Sequence, residues 1–115
     1  AHSSMNSELR RIAFTPEYLQ DLKRLKKKHV DVHAIDAAVR AIMQRETSLL
    51  ATKYRDHALG GQWRGFRELH ISGDWLLIYY INDDALTLVL TRTGSHDRLL
   101  SSRVDARTIR GYRRL

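Results

Sequence analysis

The sequence predicts an α+β domain: a short strand, a two-helix hairpin, three antiparallel strands, and a basic C-terminal tail that can form a helix. Three observations predict it. Apolar residues recur at helical spacing from Tyr18 to Met43. After Leu50 the pattern changes to alternation with period two, broken by turn residues. The order of a helical pair followed by hairpin-linked strands suits helices packed on one face of an antiparallel sheet. The chain has 115 residues, 43% of them apolar, which is enough for one domain around one core.

The first strand is read from Arg10 to Phe14, where Ile12 and Phe14 share a face. Thr15, Pro16 and Glu17 then mark a helix start, with a capping hydroxyl, a proline at the first helical position and a carboxylate at the positive dipole end. Tyr18, Leu19, Leu22 and Leu25 follow at helical spacing, and Lys26, Lys27, Lys28 and His29 close that helix. Asp31 is placed to cap a second helix whose buried stripe is Ile35, Ala38, Val39, Ile42 and Met43.

Arg64 to Ile71 alternates, with Arg67, Leu69 and Ile71 on the core face and Phe66, Glu68 and His70 on the other. Ser72-Gly73 is read as a tight turn. Asp74 to Ile81 is apolar on both parities and predicts a central strand covered on both faces, with Trp75 and Tyr79 in the core. Asn82-Asp83-Asp84 turns into a last strand through Leu86, Leu88 and Leu90, which Arg92-Thr93-Gly94 leaves. The tail can form a helix capped by Asp105, with Val104, Thr108, Ile109 and Tyr112 as its stripe. The expected division is a leader over 1–9 that begins as an expression-tag remnant, one domain over 10–100, and a basic extension over 101–115.

The net charge of +7 and a pI near 10.1 point to nucleic acid, the ribosome or an acidic protein as partner. The charge is uneven: the segment from Ser101 onward holds five arginines against one aspartate, a net of +4. No apolar run reaches the roughly 18 residues of a membrane span, so no membrane partner is expected. The absence of cysteine excludes disulfides and thiolate metal ligands, and is compatible with the cytoplasm, the expected location.

His57, His70, Asp74 and His96 sit where strands begin or end, off the apolar stripes. Histidine titrates near neutral pH and can take and return a proton within one cycle. His70 and Asp74 bracket one turn, so antiparallel pairing is expected to bring them together, and a carboxylate beside an imidazole raises its pKa. Such groups on a basic domain suggest acid–base chemistry on a phosphodiester. Arg92 could hold a phosphate or a pentacoordinate transition state. It shares parity with Leu88 and Leu90, however, and so points usefully only if the strand has ended or bulged. Lys53, Arg55, Arg64 and Arg67 are candidates to track an RNA backbone, and Trp63 and Phe66 to stack on bases. The spacing matches no zinc motif, and neither metal nor cofactor is expected.

The phrases YRDHALGGQW, FRELHISGDWLLIY and TRTGSHDRLL, in this order, resemble the YafQ branch of the RelE superfamily, ribosome-dependent endoribonuclease toxins of bacterial toxin–antitoxin pairs. The resemblance covers about residues 10 to 100. It implies a RelE-like fold and a metal-independent mRNA interferase that cleaves mRNA in the A site of the 30S subunit by attack of a 2′-hydroxyl on the adjacent phosphate. It places His57, His70, Asp74 and His96 at catalytic positions, Arg92 at a basic position ending the last strand, and Glu68 at an acidic one. Leu100 departs from the family, which has a phenylalanine there. The implied partners are the ribosome with its mRNA and a cognate, DinJ-like antitoxin of ribbon–helix–helix type, which carries operator DNA binding. The readings from other classes are a non-catalytic basic module that binds RNA or the ribosome, and a basic subunit inactive alone. A binder needs the lysines and arginines but not four titratable groups at strand ends.

Overall fold

In the computed structural model, which describes residues 8–101 and 106–112, Thr15 and Pro16 set the turn from the first strand into the first helix. β1 (Arg11–Phe14) ends there. Thr15 Oγ1 accepts from the Tyr18 amide at 2.9 Å, and Pro16 opens α1 (Pro16–Lys27), where a missing N–H is harmless. Arg24, Lys26 and Lys27 in its last turn oppose the dipole. Asp31 accepts from the His33 amide just before α2 (Ala34–Met43). Ile35, Ala38 and Ile42 of the expected stripe are buried, and Val39 and Met43 pack against them. A third helix, α3 (Thr47–Thr52), was not foreseen. Six residues are too few to display an apolar period, and only Leu50 of them is buried.

The remaining elements are β2 (His57–Ala58), a 3₁₀ turn at Gly61–Trp63, β3 (Arg67–Ser72), β4 (Trp75–Asn82), β5 (Thr87–Ser95), α4 (His96–Leu100) and α5 (Ala106–Tyr112). The five strands form one sheet in the order β1-β5-β4-β3-β2. β3, β4 and β5 are antiparallel, as expected. β1 joins parallel to β5, and β2 adds a short antiparallel edge to β3. The first turn falls at Gly73-Asp74, one residue later than the sequence suggested, with Gly73 at φ +50°, a conformation glycine adopts without strain.

β4 is the buried strand its two-sided apolar pattern predicts: Leu76, Leu77 and Ile78 have no exposed surface. One face of the sheet carries Leu69, Leu77, Tyr79, Leu88 and Leu90 against Tyr18, Ile35, Ala38, Ile42 and Leu50. The other face carries Phe66, Leu76, Ile78, Tyr80 and Val89 against Trp63, Leu99, Ile109 and Tyr112. Trp63 and Phe66 are therefore core residues and do not offer a ring to a base. Leu9, assigned to the leader, is also buried and donates its amide to Met43 O. The tail forms the helix its stripe suggests, on Ile109 and Tyr112. Asp105 and Val104, and residues 1–7 of the leader, lie outside the described residues.

β5 runs past the end of β1. Leu90 pairs with Phe14, and beyond it, among the described residues, the β5 edge has no strand beside it. Asp21 of α1 fills that place. Its Oδ2 accepts from the Thr93 amide at 3.0 Å and from Arg92 Nε at 2.7 Å. Its Oδ1 accepts from Arg92 Nη2 at 3.1 Å and from Arg24 Nη1 at 3.0 Å. Register in β5 slips at the same point: Tyr79 faces Leu90 and Ile78 faces Arg92, so Thr91 is the extra residue of a bulge. Thr15 Oγ1 donates to the Thr91 carbonyl at 2.6 Å and fixes it. The bulge moves Arg92 off the face of Leu88 and Leu90 and onto the face of Ile78.

Asp21 has 2% of its side chain exposed and Arg92 13%. Removing one partner of a buried, hydrogen-bonded pair strands the other charge, at a cost of about 3–5 kcal/mol. Asp21→Ala is expected to lower unfolding free energy by that amount in urea denaturation. A loss below about 1 kcal/mol, the range of an exposed pair, would show that the pairing does not hold the strand end.

Candidate active site

The β2–β3 register sets His57 opposite Glu68, and the alternation of β3 sets Glu68 and His70 on the face of Phe66. Trp75 pairs with Ser95, so Asp74, one residue before Trp75, meets His96, one residue after Ser95. His96 opens α4, where Ser95 is the cap, its Oγ accepting from the Arg98 amide at 3.2 Å. His57, expected in a loop, lies in the edge strand β2, and His96, also expected in a loop, lies at a helix start.

The four histidine and carboxylate positions do converge, with partners different from those expected. Asp74 Oδ1 accepts from the His96 amide at 3.2 Å and lies 3.1 Å from His96 Nδ1. The structure thus pairs Asp74 with His96 and not with His70, because the β4–β5 register carries the turn carboxylate away from the β3 end. Glu68 is the centre. Its Oε1 is 3.5 Å from His57 Nε2 and 4.0 Å from His96 Nε2, with 2% of the side chain exposed. His70 lies between the other two imidazoles, with ring centroids 6.4 Å from His57 and 5.8 Å from His96.

Hydrogen bonding fixes two tautomers. His57 Nδ1 is 2.9 Å from the Arg55 carbonyl, which only accepts, so Nδ1 carries the hydrogen. His96 Nδ1 faces the Asp74 carboxylate and donates likewise. In both rings Nε2 is then the working nitrogen: a base when neutral, and a donor toward Glu68 when charged. The Arg55 carbonyl is presented by a left-handed backbone, φ 51°, a conformation costly for a long side chain and typical of sites that hold a fixed geometry.

His70 differs from its neighbours. Burial, then the positive charge of Arg55, push its pKa below the ordinary 6.5, while Glu68 pulls the other way less strongly. This is opposite to the rise expected from an Asp74 partner. His70 is thus held neutral at pH 7.

Arg92 lies in the row His57–Glu68–Ile78–Arg92, two strands from Glu68, about 10 Å between backbones. Its guanidinium is engaged by Asp21 and, at 3.4 Å, by Tyr112 Oη. Burial works against its charge, and the bonds to Asp21 more than offset that and raise its pKa. Arg67 is on the opposite face, donating through Nε and Nη2 to Asp56 Oδ2, and Asp56 also accepts from the Tyr79 hydroxyl. Lys53, Arg55 and Arg64 are exposed, and Leu100 is half-buried against the second core.

Glu68, His70 and His96 each offer a donor atom within 4.8 Å of the others. Glu68 Oε2 and His70 Nδ1 are buried with no hydrogen-bond partner among the described residues. A carboxylate with two imidazoles is a donor set that suits a first-row divalent ion. The sequence showed no such group because its spacing follows strand register and no local motif.

Among the described residues, a histidine–carboxylate cluster thus lies on one face of the sheet of a strongly basic α+β chain. Residues 10–101 match the sequence profile of YafQ, bacterial toxin of type II toxin–antitoxin systems, and the chain belongs to that family. It is 34% identical to the mRNA interferase toxin YafQ of Escherichia coli K12 over 90 residues, which is 78% of this chain and 95% of that protein. The E. coli DinJ–YafQ toxin–antitoxin complex contains a chain 33% identical, with a TM-score of 0.69, covering 81% of this chain and 99% of that one. A metal-bound toxin from Helicobacter pylori is 37% identical, with a TM-score of 0.70 over 77% of this chain and 97% of that one. Among the described residues no helix is long and apolar enough to cross a membrane.

A lowered folded pKa means the unfolded state binds the His70 proton first. The stability His70 contributes is present above about pH 6.5 and is lost as pH falls from there toward the folded value. His70→Gln should flatten the stability–pH curve in that window. An unchanged curve, or an imidazole that titrates at or above 6.5 by NMR, would contradict this.

Proposed function

We propose that this protein is the toxin of a type II toxin–antitoxin system and cleaves mRNA in the ribosomal A site, using its histidines and no metal ion. The observation that carries the reading is the convergence of three imidazoles on one buried carboxylate. The reaction is attack of a ribose 2′-hydroxyl on the adjacent phosphate. It needs a base, an acid for the departing 5′-oxygen, and charge around the phosphorane. His70, kept neutral, takes the 2′-hydroxyl proton. His96, whose Nδ1–H is held by Asp74, is the acid for the 5′-oxygen. His57, oriented by the Arg55 carbonyl, donates to a phosphate oxygen, and Glu68 orients His57 and His96 and balances their charge. Arg55, whose charge already acts on His70, is better placed than Arg92 to meet the phosphate. Arg92 positions the strand end. Lys53 and Arg64 extend the contact with RNA. Its partner is a cognate antitoxin of DinJ type, which binds operator DNA, and its place of action is the cytoplasm, where the ribosomes are.

In a metal-free mechanism the Glu68–His70–His96 donor set is a point of inhibition. An ion there occupies the base and the acid together.

Two measurements test these roles. His70→Ala and His96→Ala should each lower single-turnover cleavage on programmed ribosomes by at least about 10²-fold, with ribosome binding retained. A substrate with sulfur in place of the 5′-oxygen has a leaving group that needs no proton. It should restore cleavage to His96→Ala but not to His70→Ala, and rescue of both or of neither would reassign the acid. Separately, toxin stripped with EDTA and then freed of the chelator should cleave at the wild-type rate on ribosomes in magnesium buffer, and micromolar zinc should depress it. A stripped toxin that is inactive until a transition metal is added back would overturn the metal-free mechanism.

A further inference from the structure

The family match ends at residue 101, and α5 (Ala106–Tyr112) lies beyond it. This helix is docked on the sheet face that bears the histidine cluster. Ile109 is 2% exposed and Tyr112 4%, both within the second core. The Tyr112 ring stacks on Trp63 at 5.9 Å and 19°, Trp63 meets Phe66 edge-on at 5.3 Å, and the Tyr112 hydroxyl accepts from Arg92. Phe66, the residue just before β3, is two residues from Glu68, about 7 Å in extended chain. The helix therefore flanks the cluster on the same face and is held by burial, by ring stacking and by a hydrogen bond.

With Ile109 and Tyr112 turned inward, Arg107 and Arg110 project outward from one side of α5, three residues apart, and both are exposed. Arg64, which follows the 3₁₀ turn under α5, is exposed as well, as is Arg98 on α4. The guanidiniums are thus exposed on and beside the helix that covers the Phe66 end of the face, next to the part of that face where the histidines lie. Arg92, on this face in the same row as Glu68, is already neutralised by Asp21. Phosphate contacts around the site fall to the rim.

We propose that α5 is a substrate-binding wall of the active site, on which Arg107 and Arg110 hold the phosphate backbone of the mRNA strand being cut, several nucleotides from the scissile bond. This rests on the reading that the protein cuts mRNA. A guanidinium on a fixed helix gives a positioned contact, whereas one on a free tail gives only general attraction. Each such contact adds to the salt dependence of binding through counterion release.

The test is single-turnover cleavage of mRNA on programmed ribosomes with the full chain in excess, titrated at several salt concentrations. The Arg107→Gln/Arg110→Gln double variant is compared with wild type, with His70→Ala, and with Lys23→Gln/Arg40→Gln, which removes two charges among the helices on the other face of the sheet. The α5 variant should raise the half-saturating concentration, leave the maximal rate unchanged, and reduce the slope of log affinity against log salt by about 1.4, two contacts at roughly 0.7 each for a single strand. The Lys23/Arg40 variant should keep the wild-type slope. An α5 variant with the wild-type slope, while His70→Ala abolishes cleavage, overturns this proposal and leaves the function standing. An equal slope change in the Lys23/Arg40 variant overturns it too, since any surface charge then serves. Faster cleavage by the α5 variant would make the helix an inhibitory cover, again against the proposal. If the wild-type chain leaves ribosome-bound mRNA intact, the functional reading fails and this one with it.

Discussion

The carboxylate of Asp21 is the constraint on which the working end of the molecule depends. β1 supplies only four residues of parallel pairing to β5, so the second half of β5 has backbone groups facing a helix and no strand. A sheet edge that is neither paired nor solvated is costly. Asp21 answers it by accepting from the Thr93 amide, and the same two oxygens hold the Arg92 guanidinium. The Thr91 bulge makes this possible by turning Arg92 toward Ile78. Everything after it follows from that strand end: Ser95 caps α4, His96 begins it, and Tyr112 closes on Arg92 from the tail.

Much of the fold was legible because its signals are local. The Thr15-Pro16 helix start, the stripe of α2 and the two-sided burial of β4 each depend on a few adjacent residues, and the structure keeps them. The helix of the tail was legible from Ile109 and Tyr112 for the same reason. β2 and α3 were not, since two and six residues carry no period. The bulge was foreseen only as a condition: Arg92 shared parity with Leu88 and Leu90, and a polar residue in that phase had to imply a break.

The candidate site was legible in membership and not in pairing. His57, His70, Asp74, His96 and Glu68 converge, but sequence neighbours were expected to be spatial partners. Asp74 is four residues from His70 and twenty-two from His96, yet register gives it to His96. This changes the chemistry assigned to each ring. His70, without the carboxylate, is governed by burial and by Arg55, and stays neutral. His57 and His96 are held by their Nδ1 atoms to different acceptors, a carbonyl and a carboxylate, so three identical side chains are given three environments. Arg67 and Trp63 were misplaced for a related reason: composition suggests RNA contact, and only the sheet face decides whether a side chain can reach it.

The bulge at Thr91 divides β5 into two reading frames. Ahead of it, odd and even positions are assigned by the demands of the core. Behind it, the assignment is inverted and answers to the histidine face. A strand of this kind carries two independent sets of constraints joined at one residue, so its halves can drift separately in sequence as long as the joint persists. Closing the bulge with Thr91 retained would exchange the two sets, sending the Arg92 guanidinium into the helical layer and the Thr93 hydroxyl toward the cluster, whereas deleting Thr91 would leave both sets on their faces.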